Sequence, residues 1–454
     1  MEYDLIVVGR AFIKDKLVKC AIWSSQGIIV KISSISKVPK TENNKLVFED
    51  KFVILPGMVD MHVHLRDLKL SYKEDFYTGT CAAAAGGVTV ICDMPNTVPF
   101  TNTYKALEEK INAAKKSIVD YCLYFGFPNK IDELKKSLNK IIGVKIYPED
   151  YNKPTFKDYL YYIIKNNILL IAHAEIDEYI KSLREIFKNN LREMIVHNII
   201  RNKLVEYNCI NRLVKIISDM KNNNVRFHFT HVTSKESVIL IRKIKEKYRG
   251  VTFDTCPHYI FLSNKILRKL KGFAKVNPPL RSEEDRIYLL KTLSSGEVDA
   301  ITSDHAPHTL EEKMREKYDE VPSGFPGLET TLPLLLTLVD RNILTLKDVV
   351  KLYAKNPAKI IGIDSVYGDI DIGKYCSLTV ADLKEKYKIN SEKFYSKAKF
   401  SPFNGMEVVG KVRTTIVRGK VVYDSGEIIV EKGYGKNVLE LIDYSKISRN
   451  IYFE

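Results

Sequence analysis

Residues 52–60 (FVILPGMVD) form an apolar run that leads into His62-Val63-His64-Leu65-Arg66. Residues two apart in a strand share a face, so His62, His64 and Arg66 point the same way from the end of a buried strand. Two imidazoles at that spacing can bind one metal ion, and the guanidinium beyond them can hold a substrate anion. The same alternation also describes three polar residues on a solvated edge strand. The rest of the chain favours the first reading.

Other ionisable residues also stand just after short apolar runs. His173-Ala174-Glu175, Thr230-His231-Val232 and Ser303-Asp304-His305-Ala306-Pro307-His308 all do so. Lys145 lies inside Ile142-Gly143-Val144-Lys145-Ile146-Tyr147, where a bare ammonium is costly to bury. Either it snorkels from a strand end, or it is carbamylated. In the second case carbon dioxide turns the amine into a carboxylate-like group able to bridge two metals. Four histidines, one aspartate and such a bridge make a two-metal site that generates hydroxide at neutral pH.

The elements that must position these residues follow from the pattern between them. Short apolar runs at 88–92, 121–125, 142–146, 168–172, 225–229, 251–254 and 298–301 alternate with helical stretches, as in parallel βαβ units. With the run before His62 they make eight strands. Eight parallel strands with helices between them predict an α/β fold, a (β/α)8 TIM-type barrel, with its chemistry at the C-terminal strand ends. From about 177 to 221 the chain is helical and too long for one crossover, so an inserted helical pair is expected there. Both ends are β-rich, at 5–8, 17–23 and 28–32 and again at 414–423 and 427–430. They are expected to form one small sheet domain. The division is therefore 1–55 and 363–454 for that domain, around a catalytic barrel at 56–362.

Composition bounds the remaining classes. A chain of 454 residues, 45% hydrophobic and 10% aromatic, can bury a large core and is not disordered. Its formal charge of +15 is spread along the chain and suits an anionic substrate, with no nucleic-acid-binding motif to suggest that partner. The seven cysteines show no Cys-x-x-Cys spacing, which argues against a zinc ribbon or a disulfide scaffold. No charged-then-apolar leader follows Met1, and no apolar stretch is long enough to span a bilayer. A cytoplasmic, reduced protein with no membrane partner is expected.

Taken together, the His-x-His strand, the later lone histidines and the terminal aspartate resemble the amidohydrolase superfamily. The finer motifs are similar to those of the dihydroorotase family: VDMHVHLR at 59–66, DMPNT at 93–97, GVKI at 143–146 and HAE at 173–175. They continue with NPPLR at 277–281, SDHAPH at 303–308 and GFPGLET at 324–330. The resemblance runs in order from about residue 5 to 435. It departs from the commoner pattern in the helical stretch after Glu175 and in Tyr147-Pro148-Glu149-Asp150.

The resemblance implies a ligand set and a reaction. His62, His64 and Asp304 would hold one metal ion, His173 and His231 the second, and Lys145, as N6-carboxylysine, would bridge two Zn2+ ions. The reaction is the interconversion of dihydroorotate and carbamoyl aspartate, with a metal-bridging hydroxide attacking the ring carbonyl and Asp304 as general base, then acid. Arg66, Asn96 and His308 would hold the substrate carboxylate. Asn96 reads equally as a turn residue, and Arg281 either touches the substrate or makes a structural salt bridge. Phe325-Pro326-Gly327 could present backbone groups to the ring. Assembly is left open between a homodimer and an association with aspartate carbamoyltransferase. Allantoinases, hydantoinases and dihydropyrimidinases share the metal set but act on rings without that carboxylate, and differ at the positions of Arg66 and His308. A non-catalytic scaffold relative would have lost metal ligands, and here all six are present.

Overall fold

The two ends of the chain meet in one sheet. A computed structural model describes residues 3–39, 44–220 and 225–442. Its first strands are β1 (Leu5–Ile13), β2 (Lys16–Ser25), β3 (Ile28–Ser33), β4 (Lys45–Val47) and β5 (Phe52–Pro56). The central strands are β6 (Met58–Val63), β7 (Val88–Asp93), β8 (Asp120–Gly126), β9 (Gly143–Ile146), β10 (Leu170–Ala172), β11 (Phe227–Phe229), β12 (Val251–Thr255) and β13 (Ala300–Ile301). The last are β14 (Leu378–Lys388), β15 (Glu407–Val417), β16 (Lys420–Asp424) and β17 (Glu427–Ile428).

Strands β6 to β13 lie side by side in chain order, and every adjacent pair is parallel. A parallel bridge from Val63 to His305 joins the first strand to the chain beyond the last, with the His64 N–H donating to His305 O at 2.7 Å. This is the expected (β/α)8 barrel. Its strands are buried along their whole length, because helices cover the outer face and packed side chains fill the inside.

The second sheet runs β17-β16-β15-β14-β5-β1-β2-β3, with β4 beside β1. β14 pairs antiparallel with β5, so strands from the far end of the chain complete the sheet begun at the near end. Residues 52–60, read as a single strand, are two. β5 belongs to the terminal sheet and β6 to the barrel, with Gly57 between them. A side chain at Gly57 would stand 2.2 Å from Thr89 Oγ1, so only glycine lets the backbone cross there.

Three further readings change. The stretch after Glu175 holds helices Asp177–Ile186, Met194–Ile200 and Lys203–Asp219 rather than a pair, and residue 221 lies outside the described residues. The third of these is the crossover helix itself. It buries Val205, Cys209, Ile210, Leu213 and Ile217 on one stripe, so only the two shorter helices are inserted. The run 414–423 is a hairpin, because Arg418 and Gly419 take φ of 44° and 74°, a left-handed pair that reverses the chain. Strand β14 is not among the expected runs; past Asp382 it alternates exposed lysines with half-buried Leu383, Glu385 and Tyr387. Residues 443–454 of the expected terminal domain lie outside the described residues. No helix among the described residues is long and apolar enough to cross a membrane.

Candidate active site

The C-terminal ends of the barrel strands open into a cavity of about 360 Å³. His62, His64, Lys145, His173, His231 and Asp304 line it, together with Arg66, Asn96 and His308. His62 is the inward residue near the end of β6, and His64 follows the strand. Asp304 and His231 stand just past β13 and β11 with φ of 45° and 42°, and Arg66 takes 61°. Non-glycine residues avoid this region unless the surrounding structure holds them there, and such strain gathers at working sites.

The imidazole tautomers follow from the hydrogen bonds around them. Thr230 Oγ1 donates to Asp254 Oδ2 at 3.0 Å, so it can only accept from His62 Nδ1–H, at 2.5 Å. His64 Nδ1 faces Asn96 Oδ1 at 2.6 Å. Both rings therefore present Nε2 as a lone pair. Those two atoms are 3.2 Å apart, and Asp304 Oδ1 stands 3.5 Å from the first and 3.2 Å from the second. Ligand atoms bound at 2.0–2.1 Å in a tetrahedral shell lie about 3.3 Å from one another. The three donors thus fit one metal ion. They are also the group of possible ligands found buried together among the described residues.

Beside them stand His173, His231 and Lys145. His173 and His231 meet ring to ring, centroids 4.5 Å apart. The His173 Nε2 lies 2.6 Å from Glu175 Oε2, which leaves Nδ1 for another partner. His231 Nδ1 and Lys145 Nζ are buried without a hydrogen bond. Burial drives His62 and His231 well below the usual imidazole range, and the Lys145 charge nearby adds to the shift. Neutral imidazole is the form that ligates metal. Burial likewise lowers the Lys145 amine to about 7, so much of it is neutral near pH 7 and nucleophilic. For Asp304, burial works against charge, yet the groups around it hold the carboxyl below its ordinary range.

A resident metal should stabilise the fold. Excess Zn2+ is expected to raise the thermal midpoint of the metal-free protein, by about 4 kcal/mol of stability at a thousandfold excess over Kd. The His64→Ala variant should lose most of that rise. An equal rise in both proteins would place the ion elsewhere.

Arg66 lies beyond the ligands. It is 8% exposed, donates from Nε to Pro307 O at 3.3 Å, and has no carboxylate partner among the described residues. Burial pushes the neighbouring His308 down to about 3. Its neutral ring places Nε2 3.0 Å from Ser323 O and accepts from Lys73 Nζ at Nδ1, 3.0 Å away. Asn96 is more than a turn residue. With Oδ1 taken by His64, its amide NH2 remains for a ligand. Arg281 is not among the residues lining the cavity. Its Nε donates to Thr233 Oγ1 at 2.7 Å, its NH1 to Arg201 O, and Glu206 lies 3.6 Å from NH2. This is the structural alternative: a buried guanidinium goes to the nearest carboxylate, and Glu206 supplies one.

Sequence reading missed several lining residues, namely Tyr147, Asn277, Arg201 and Ser323. Tyr147 and Asn277 sit in motifs already quoted, two residues after Lys145 and at the head of NPPLR. No local signal marks Arg201. It ends the second inserted helix and ion-pairs with Glu175, the carboxylate that orients His173. Burial opposes the charge on Glu175, but Arg201 and His173 hold it ionised, at about 2.

Comparison with known proteins agrees with this geometry. A family model described as the amidohydrolase family matches residues 53–422. The chain is 36% identical over 432 residues to the dihydroorotase of Methanosphaera stadtmanae, covering 94% of this chain and 97% of that one. It is 36% identical over 436 residues to the dihydroorotase of Pyrococcus horikoshii, covering 94% of each. Among solved structures, an L-hydantoinase (dihydropyrimidinase) from Arthrobacter aurescens superposes with a TM-score of 0.87 at 30% identity, over 96% of this chain and 99% of that one.

Proposed function

The chain belongs to the amidohydrolase family, and from that premise we propose that it is a dihydroorotase of pyrimidine synthesis. It opens the cyclic amide of (S)-dihydroorotate to N-carbamoyl-L-aspartate and closes it again. The observation that carries this reading is Arg66, a buried guanidinium without an anionic partner, in the same cavity as the His62–His64–Asp304 cluster. A desolvated cation of that kind is a prepared site for a carboxylate.

The residues divide the work. His62, His64 and Asp304 would hold one Zn2+ and His173 and His231 a second, with Lys145 between them as the N6-carboxylated bridge. Metal bound there supplies a water of near-neutral pKa and polarises the ring carbonyl. Arg66 and the Asn96 NH2 grip the substrate carboxylate, and neutral His308 closes the cavity beside them. The Asp304 carboxylate accepts the proton of the attacking water and delivers it to the leaving ring nitrogen. Residues 56–362 carry all of these groups, and 1–55 with 363–454 supply the flanking sheet.

The likeness to an L-hydantoinase keeps a neutral ring as the rival substrate. Arg66 argues against it, because burying an unpaired guanidinium serves nothing on an uncharged ring. Arg66→Ala is expected to lower kcat/KM for dihydroorotate by about 10²- to 10³-fold, the cost of leaving a buried carboxylate unpaired, with metal content unchanged. Normal turnover in that variant, or faster hydrolysis of hydantoin than of dihydroorotate by the wild type, would defeat the substrate assignment.

A further inference from the structure

Beyond the ligands and Arg66, one buried charge stands next to the cavity with no anion beside it. Lys313 ends the short helix Leu310–Lys313 and is 1% exposed. Its ammonium donates to three main-chain carbonyls: Gly324 O at 2.8 Å, Pro322 O at 2.9 Å and Lys275 O at 3.3 Å. No carboxylate pairs with it among the described residues. Holding an ammonium away from water costs free energy, which these three carbonyls offset in part.

Two of those carbonyls belong to the loop that lines the cavity through Pro322, Ser323 and Gly324. The peptide joining Pro322 to Ser323 is not among the cis bonds. In a planar trans peptide the C=O and the following N–H point in opposite directions. With the Pro322 carbonyl turned to Lys313, the Ser323 N–H must point away from it. The other polar groups of the loop are occupied. Gly324 N–H donates to Lys275 O at 2.9 Å, Ser323 Oγ to Asn277 Oδ1 at 3.1 Å, and Ser323 O lies 3.0 Å from His308 Nε2. The Ser323 N–H has no acceptor among the described residues.

We propose that Lys313 is a positioning residue for the substrate: by drawing the Pro322 and Gly324 carbonyls inward, it presents the Ser323 amide to the ring acid as a hydrogen-bond donor. The identity of the ring acid rests on the dihydroorotase reading; the geometry of the amide does not. Lysine suits the task because a compact ammonium offers three donors to carbonyls converging on one point. The loop cannot slide to meet a shorter group. Gly324 takes φ of 123°, and a side chain there would stand 2.6 Å from Ala306 O, so backbone packs directly on backbone. A second buried lysine anchors the start of the same loop, Lys275 Nζ donating to Tyr318 O at 2.5 Å.

Lys313→Met keeps the length of the side chain and removes all three donors, so the carbonyls must turn elsewhere and carry the Ser323 N–H with them. At matched metal content, KM for dihydroorotate is expected to rise about ten- to a hundredfold with kcat within about threefold of wild type, the loss of one hydrogen bond to a charged group. An unchanged KM, or a fall in kcat alone, overturns the proposal. If the variant does not fold, hydrogen exchange of the wild-type segment 318–326 decides, with orotate as the probe. Slower exchange of the Ser323 amide supports the proposal, and unchanged exchange overturns it. Absence of dihydroorotate turnover in the wild type would instead defeat the substrate reading. The KM split would then be read on the cyclic amide that the enzyme does hydrolyse, and orotate exchange does not depend on turnover.

Discussion

Lys145→Met is expected to abolish activity and yet to make the metal-free protein more stable. The amine is buried in β9 without a hydrogen bond, and burial brings it from 10.5 to about 7. Methionine fills the same volume with no polar atom to desolvate, so a gain of about 2 kcal/mol or more is expected. The sign with pH follows from linkage. Below pH 7 the amine is charged in both folded and unfolded chains, and the folded state bears the full penalty. Between pH 7 and 10.5 the unfolded chain binds more protons, so wild-type stability rises with pH and the advantage of methionine shrinks. Denaturant titrations of both metal-free proteins at pH 6 and pH 10 measure this. Turnover should fall more than about 10³-fold, because the proposed bridge between the two ion sites would be gone. A destabilised variant that kept its activity would make Lys145 an ordinary snorkelling residue. Conversely, a position that costs stability and cannot be vacated is kept for chemistry.

Asp304→Asn carries the second large effect. The amide keeps an oxygen where Oδ1 now stands between His62 and His64, but it cannot take up a proton. The expected loss in kcat is about 10³- to 10⁴-fold at similar KM, the upper range for removing a general base that also serves as the acid. Because the carboxyl stays below its ordinary range despite burial, the proposed base stays ionised from pH 6 to pH 9, and the loss should be the same at both ends of that range. Stopped-flow rates with metal content measured on the same samples test this. A variant within about tenfold of wild type at full metal content would move the proton transfer to another group.

Much of this site was legible because barrel chemistry is local to strand ends. A histidine two residues from another on a buried strand must share its face, and ionisable residues that directly follow apolar runs must meet at one mouth of a barrel. Spacing brings His62, His64, His173, His231 and Asp304 to that mouth together with His305 and His308, and the family resemblance separates the expected ligands, Lys145 among them, from the rest. The terminal sheet was legible in outline for a similar reason, since β-rich runs at both ends have no other partners. Its details were not. Gly57 divides one apolar run between two sheets where any side chain would strike Thr89, 32 positions further along the chain but adjacent in space.

The residue types at the strand ends can be read along the chain, and with them the barrel and the family. How those residues are prepared depends on what folding brings beside them. Thr230 and Asn96 set the tautomers of His62 and His64, and Arg201 on the inserted helix reaches back to Glu175 and so to His173. Arg281 is taken by Glu206 and withdrawn from the substrate, while Arg66 is left unpaired. Nothing in local spacing separates two arginines of this kind. Pairing depends on which carboxylate lies within a few ångströms after folding, and a buried charge is free for a ligand only where the fold brings it no partner.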